Sequence, residues 1–397
     1  MKDAHRGLRI TSCSSIIEVS VEDSIKFFDI RTRSLKVYTP SKTPCPMYMT
    51  ILGNRIVQIT DEYNSVGATS IDFMDIESNG RAYSTRLKHS VIRAVQRPGV
   101  ICVVAEKTLS LIRAIDGSIL KQISTTKNPY GCCDASTWTD RLVVCCPGLQ
   151  RGTLRIERLP SESQSSSSVV AVHEAGLQAI AVSGNGAYVA TISETGSLIR
   201  VHSTVEPCDL LIEHRRTSLL KAPRVVDLFI SPTGSFVGIV DVGTFLISIF
   251  KTPVSISSHL LLRTSEDKGP MSVFSSFASE CQKCLTGTSA WATFNIPSMN
   301  SSVSFVTASF GPDPYTLIVA AATSAGPVGF LYRFDPMDKN TVTVAKCEYI
   351  ERTTPNEEEI IEIEKSVIAE DGVISDDSTE WTLLNFSSSN NSEYISW

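Results

Sequence analysis

Seven apolar, β-branched runs recur along this chain at a nearly constant interval, and that recurrence limits the fold more than any other feature. The runs close near Ile30 (IKFFDI), Ile76 (IDFMDI), Ile115 (LSLIRAI), Leu159 (LRIERL), Ser203 (IRVHS), Phe250 (ISIF) and Asp335 (LYRFD). The steps between them are 46, 39, 44, 44, 47 and 85 residues. A period near 40–45 residues with several short strands per unit is the mark of radially repeated four-stranded sheets. The chain is therefore expected to be all-β, a seven-bladed WD40-like β-propeller, provided that the long last step holds a loop and not an eighth blade. Turn chemistry agrees: Gly184-Asn185-Gly186 and Pro232-Thr233-Gly234 stand between runs, where tight reversals need such residues.

The doubled step contains a segment, about residues 251–290, too long for a hairpin connection. It carries Leu260, Leu261, Leu262, Met271, Val273, Phe274 and Phe277 with few apolar neighbours to pack against locally. Residues 161–168 (SESQSSSS) read as a polar linker between the fourth and fifth blades. From residue 351 the composition changes again. Residues 351–397 hold 12 acidic and 2 basic residues, against 30 and 34 in the first 350. The net charge of −6 thus divides into a mildly basic body, residues 7–350, and an acidic tail expected to be disordered. Such a body suits an anionic membrane surface better than the whole-chain charge suggests.

No N-terminal apolar stretch follows the first charged residues, and no run approaches the 18 apolar residues of a spanning helix. Eleven cysteines without a signal peptide read as reduced thiols of a cytoplasmic protein. Cys132-Cys133 and Cys145-Cys146 lie in or beside apolar runs, where cysteine packs as a small hydrophobe. Cys281 and Cys284 form a lone CxxC, and zinc takes four ligands, so no metal is expected. There is no phosphate loop, no Gly-x-Ser-x-Gly and no His-Glu-x-x-His, so neither catalytic residues nor cofactors are expected.

Residues 188–217 carry the chemistry. Arg215 and Arg216 stand together at the end of an alternating, strand-like run, preceded by Ser193, Ser197 and Arg200. Neighbouring side chains on a strand point to opposite faces, so two consecutive arginines serve two different pockets. Guanidinium forks with serine hydroxyls suit phosphate oxygens. Each residue also has a plainer use: Ser193 and Ser197 could cap turns, and Arg200 could pair with Glu194 or Glu213. Both arginines, at a strand end, are expected on the surface.

This stretch resembles the PROPPIN family, phosphoinositide-binding β-propellers of autophagy and endosomal traffic. The resemblance rests on Val172-His173, Ala190-Thr191-Ile192-Ser193, Gly196-Ser197, Ile199-Arg200-Val201 and Glu213-His214-Arg215-Arg216-Thr217. It extends to residues 21–30, to Asn128-Pro129-Tyr130-Gly131 and to residues 294–335, covering about residues 7–350. It implies a first head-group site of His173, Ser193, Gly196, Ser197, Arg200 and Arg215. A second would gather Arg216, with Arg224 assisting. It also implies that Leu260, Leu261, Leu262, Phe274 and Phe277 enter the bilayer from a long loop of blade six, although these residues could instead fold back on the propeller.

Two departures bear on the second site. Thr217 replaces a glycine of the family, and Asp241 stands near a serine of the family. A carboxylate beside a phosphate site repels its ligand, which puts that site in doubt. The implied function is a peripheral membrane adaptor that binds phosphatidylinositol 3-phosphate, its 3,5-bisphosphate, or both. It would be a monomer recruited from the cytoplasm to endosomal, vacuolar or pre-autophagosomal membranes, with no nucleic-acid partner. Autophagy or endosomal proteins are the implied partners. Trp381 and Leu384, preceded by acids, resemble the peptide that binds ubiquitin-like autophagy modifiers as an added edge strand. The alternative is a protein-binding scaffold whose lipid site has decayed.

Overall fold

The computed structural model describes residues 8–10, 16–21, 24–29, 34–38, 48–52, 55–61, 68–75, 81–137, 142–159, 166–216, 225–241, 244–253, 290–295, 303–311, 315–324, 326–334 and 342–348. These residues form seven four-stranded antiparallel sheets. In order they hold β1 (Leu8–Ile10) to β4 (Ser34–Tyr38), β5 (Tyr48–Leu52) to β8 (Arg81–Leu87), and β9 (Val91–Arg97) to β12 (Ile119–Ser124). Next come β13 (Asp134–Ala135) to β16 (Ser166–Ala171) and β17 (Leu177–Val182) to β20 (Leu210–Arg215). The last two run from β21 (Val225–Ile230) to β24 (Ala292–Phe294), and from β25 (Val303–Phe310) to β28 (Val342–Glu348). Within each sheet, neighbouring strands are consecutive in the chain and antiparallel, and the first sheet meets the last through β1, β25 and β26 (Thr316–Thr323).

A strand's place in its blade follows from its residues. Where side chains are described, second strands are largely covered on both faces, and several read as continuous apolar runs. β10 (Val100–Ala105, VICVVA) and β22 (Phe236–Asp241, FVGIVD) are buried at every position. Fourth strands lie outermost and tolerate polar residues, as in β8 (RAYSTRL), where exposed side chains dominate. The apolar runs noted in the sequence coincide with the third strands, which include β7 (Thr69–Asp75), β11 (Thr108–Arg113), β15 (Thr153–Leu159), β19 (Leu198–Ser203) and β23 (Ile247–Lys251).

The core consists of layers between adjacent blades. Between the sixth and seventh, Phe236 is buried against the rings of Trp291 and Phe334, each with its centroid 5.7 Å away. Between the fifth and sixth, Ala190, Ile199, Val201 and Ile212 meet Leu228, Val237 and Ile239. Each fully buried large side chain contributes about 1.5–3 kcal/mol to this packing. Cys132, Cys133, Cys145 and Cys146 lie in it as free, buried thiols, and burial pushes Cys132 and Cys146 up to about 12. In the Asn-Pro-Tyr-Gly segment, the buried Asn128 side chain accepts from Cys132 N at 2.8 Å and donates to Cys132 O at 3.0 Å, pinning the turn. Gly234 fulfils its expected turn role with φ of 79°, and a Cβ there would meet the Tyr188 ring at 2.2 Å.

One expectation needs correction. Ser166, Ser167 and Ser168 belong to strand β16 and pair with Arg158, Glu157 and Ile156 of β15. An outermost strand is held by main-chain bonds on one edge, so it can form from residues that bury little. Residues 160–165 lie outside the described residues. The long segment of blade six leaves β23 and returns as β24 of the same sheet, where Ala292 pairs with Ile249 and Trp291 N donates to Ile249 O at 2.7 Å. Leu260, Leu261, Leu262, Met271, Val273, Phe274, Phe277, Cys281, Cys284 and the tail with Trp381 and Leu384 lie outside the described residues, as do Thr217 and Arg224.

Candidate functional site

The fifth blade brings most of the expected residues to one end. Strand β18 (Tyr188–Ser193) stops at a tight turn of residues 194–197, closed by Gly196 N donating to Ser193 O at 2.8 Å. Gly196 has φ of 68°, a conformation that disfavours side chains, which accounts for glycine there. Three hydroxyls form a chain along this turn: Ser193 to Thr195 at 2.7 Å, and Thr195 to Ser197 at 3.2 Å. Ser193 is buried, so the chain runs from the interior of the blade toward its edge.

Arg200, on β19, faces Thr191 on one side and Glu213 on the other by strand register. Its Nε and Nη2 reach Glu213 Oε2 at 2.8 and 2.7 Å, and Nη1 donates to Val172 O at 2.6 Å. Of the two carboxylates open to Arg200 in the sequence, Glu213 is the one it holds. Glu213 also lies 3.6 Å from Arg215 Nη2 through its other oxygen. Two arginines thus share one carboxylate. Arg215 is 67 % exposed against 26 % for Arg200, and an ion pair so open to water contributes at most about 1 kcal/mol. Arg215 therefore retains nearly all of its capacity to bind an anion.

His173 sits under this group, with Nε2 3.0 Å from Thr191 Oγ1. Burial, with the Arg200 charge adding to it, pulls its pKa down to about 4. At neutral pH it is an uncharged imidazole and adds hydrogen-bonding capacity but no positive charge.

Arg216 is placed very differently from the surface position expected. Its side chain is only 7 % exposed. Its amide donates to Ser197 O at 2.8 Å and its Nη1 to Gly196 O at 2.7 Å, while Nη2 is paired with Asp241 Oδ1 at the end of β22 in the sixth blade. Burial lowers the Arg216 pKa and raises that of Asp241 against the opposing effect of its partner. The two arginines thus meet different groups, and the surroundings of Arg216 hold a carboxylate of this chain.

Sequence reasoning missed Arg151. It projects from the β14–β15 turn of the fourth blade, with β14 spanning Leu142–Pro147, and its Nη2 meets Glu194 Oε2 at 2.6 Å. That contact carries a fourth arginine, after Arg200, Arg215 and Arg216, across the blade junction to the hydroxyl-bearing turn. Its separation of 43 residues from Glu194 left no local signal. Among the described residues, no cluster of three or more His, Cys, Asp or Glu is placed to hold a metal. No described helix is long and apolar enough to cross a membrane.

No family model matches the chain. It is 28 % identical over 121 residues to SVP1-like protein 2 of Pichia angusta, covering 30 % of this chain and 33 % of that protein. The match thus spans about a third of that relative's length. The structure of Kluyveromyces lactis Hsv2 superposes with a TM-score of 0.61 at 16 % identity, over 86 % of this chain and 97 % of that one. The complex of KlAtg21 with the coiled-coil of AgAtg16 gives a TM-score of 0.59 at 15 % identity, over 83 % and 94 % of the two chains. These relatives are PROPPINs, so the resemblance to that family is borne out, and the solved structures show the likeness in fold.

Proposed function

We propose that this protein is a peripheral membrane adaptor of autophagy or endosomal traffic that binds the phosphorylated head group of a phosphoinositide at one end of its fifth blade. The observation that carries this reading is the placement of exposed Arg215 beside partly exposed Arg200 and the Ser193–Thr195–Ser197 hydroxyl chain. Charge-assisted hydrogen bonds from arginine to phosphate contribute about 1.5–3 kcal/mol each, so one such site gives modest affinity. A second anchor is therefore part of the reading. The segment between β23 and β24, rich in leucine and phenylalanine, supplies it by entering the bilayer, and two weak contacts on one body reinforce each other.

The head group would be phosphatidylinositol 3-phosphate or its 3,5-bisphosphate, on endosomal, vacuolar or pre-autophagosomal membranes. That KlAtg21 is found with a coiled-coil supports a partnership with autophagy proteins. Flotation of the full chain with liposomes containing or lacking phosphatidylinositol 3-phosphate tests the reading. Co-flotation only with the lipid present is expected, and equal behaviour in both would reject it. One observation favours the alternative, a scaffold that binds proteins alone: Glu213 and Asp241 already supply carboxylates to Arg200 and Arg216.

A further inference from the structure

We propose that Asp241 is a built-in counter-anion that closes the junction between the fifth and sixth blades to phosphate, leaving the chain one phosphate site, at Arg215. The inference rests on the head-group reading above for the open site, and on the geometry of Arg216 for the closed one. A carboxylate offers a guanidinium what a phosphate offers, namely oxygens matched to its N–H fork. The Arg216 fork is spent on Gly196 O and on Asp241, and the amide is spent on Ser197 O.

Asp241 does not swing freely into that position. Its amide donates to Leu246 O at 3.0 Å and its carbonyl accepts from Phe245 N at 3.0 Å, so the turn after β22 fixes the backbone that bears the carboxylate. Both side chains are nearly closed to solvent, at 7 % and 12 % exposure. An incoming phosphate must compete with an anion tethered to the same molecule, whose effective concentration exceeds that of a free ligand. Once displaced, that carboxylate would remain beside the phosphate and repel it. Among the described residues, Arg215, one residue earlier, meets an outlying carboxylate oxygen at 3.6 Å. Thus one residue of the double arginine faces solvent and the other is internally neutralised.

The reverse follows for Asp241→Ser and for the isosteric Asp241→Asn. Either leaves a largely buried guanidinium without its carboxylate, so the junction should take a phosphate from solution. Calorimetry with inositol 1,3-bisphosphate should give a stoichiometry near one for the wild type and near two for Asp241→Ser. The double variant Arg215→Ala with Asp241→Ser should bind one equivalent where Arg215→Ala alone binds none. That pair isolates the inference: a wild type that never binds head group rejects the proposed function, while anion binding by the double variant still supports the role of Asp241. A thermal shift in inorganic phosphate, against chloride of equal ionic strength, separates the free ion from the lipid head group. Both Asp241 variants should gain more than the wild type. A response to inorganic phosphate alone supports a site limited to the free ion. If the variants fold only in phosphate, the proposal is supported. A wild type with two sites, one of them lost in Arg216→Ala, overturns it. So do folded variants that keep a stoichiometry of one and show no phosphate-specific shift, or variants that stay unfolded in phosphate.

Discussion

Arg215 and Arg216 are adjacent in the chain and opposite in circumstance: the first is 67 % exposed and loosely paired with Glu213, the second 7 % exposed and closely paired with Asp241 of the next blade. Arg215 ends β20 and Arg216 follows it with its amide bonded to Ser197 O, so the two side chains leave the strand end toward different partners.

The first consequence concerns stability. Arg215→Ala should change the unfolding free energy by no more than about 0.5 kcal/mol, as for other surface positions. Arg216→Ala strands Asp241 in a nearly closed junction and should cost about 3–5 kcal/mol. Urea unfolding of both variants checks this, and equal losses would contradict the assigned burial.

Glu213 divides its carboxylate between Arg200 and Arg215, and a head-group phosphate must approach that negative charge. Glu213→Gln keeps the shape and a hydrogen-bond acceptor while removing the charge. Head-group affinity should rise about tenfold, or ~1.4 kcal/mol. Calorimetry at low and high salt checks this, and an affinity that falls would show that Glu213 chiefly positions Arg200.

Buried histidines give the fold a pH dependence. His173 and His202 are both pulled down to about 4 by burial, with Arg200 adding to the effect. A group depressed in the folded state contributes stability that is fully present above its unfolded pKa, near 6.5, and is lost as pH falls toward the folded value. Between pH 7.5 and 5 each should cost about 2 kcal/mol. His173→Gln should flatten this part of the profile. An unchanged profile would show that His173 is not the group responsible.

The loop of the sixth blade makes a separate prediction. Replacing Phe274 and Phe277 with serine should abolish flotation with phosphoinositide liposomes and leave soluble head-group binding intact. Burying each ring in lipid is worth about 1.5–3 kcal/mol, comparable with the head-group contribution. Unimpaired flotation would place these rings against the propeller instead.

Much of this was legible in the sequence because of where it lies in the blades. Third strands keep buried apolar residues at regular places, Ile199 and Val201 in β19 and Ile247, Ile249 and Phe250 in β23, so their spacing displays the repeat directly. Outer strands carry no such requirement, which is why Ser166, Ser167 and Ser168 read as linker although they pair with β15. Ser193, Ser197 and the different surroundings of the two arginines followed from short-range pattern, whereas Thr195, which links the two serines, and the burial of Arg216 did not. Arg151 did not, because its partner Glu194 lies in the neighbouring sheet. Asp241 was visible from the sequence as an obstacle to phosphate. That it pairs with Arg216 depends on the packing of the fifth blade against the sixth, which no local pattern encodes.

The most direct test of the central claim is the affinity of the full chain for liposomes containing phosphatidylinositol 3-phosphate, measured at one ionic strength for the wild type and for Arg215→Ala. Lipid recognition through Arg215 predicts a loss of at least tenfold in the variant with an unchanged melting temperature. Equal affinity for the two proteins would contradict it.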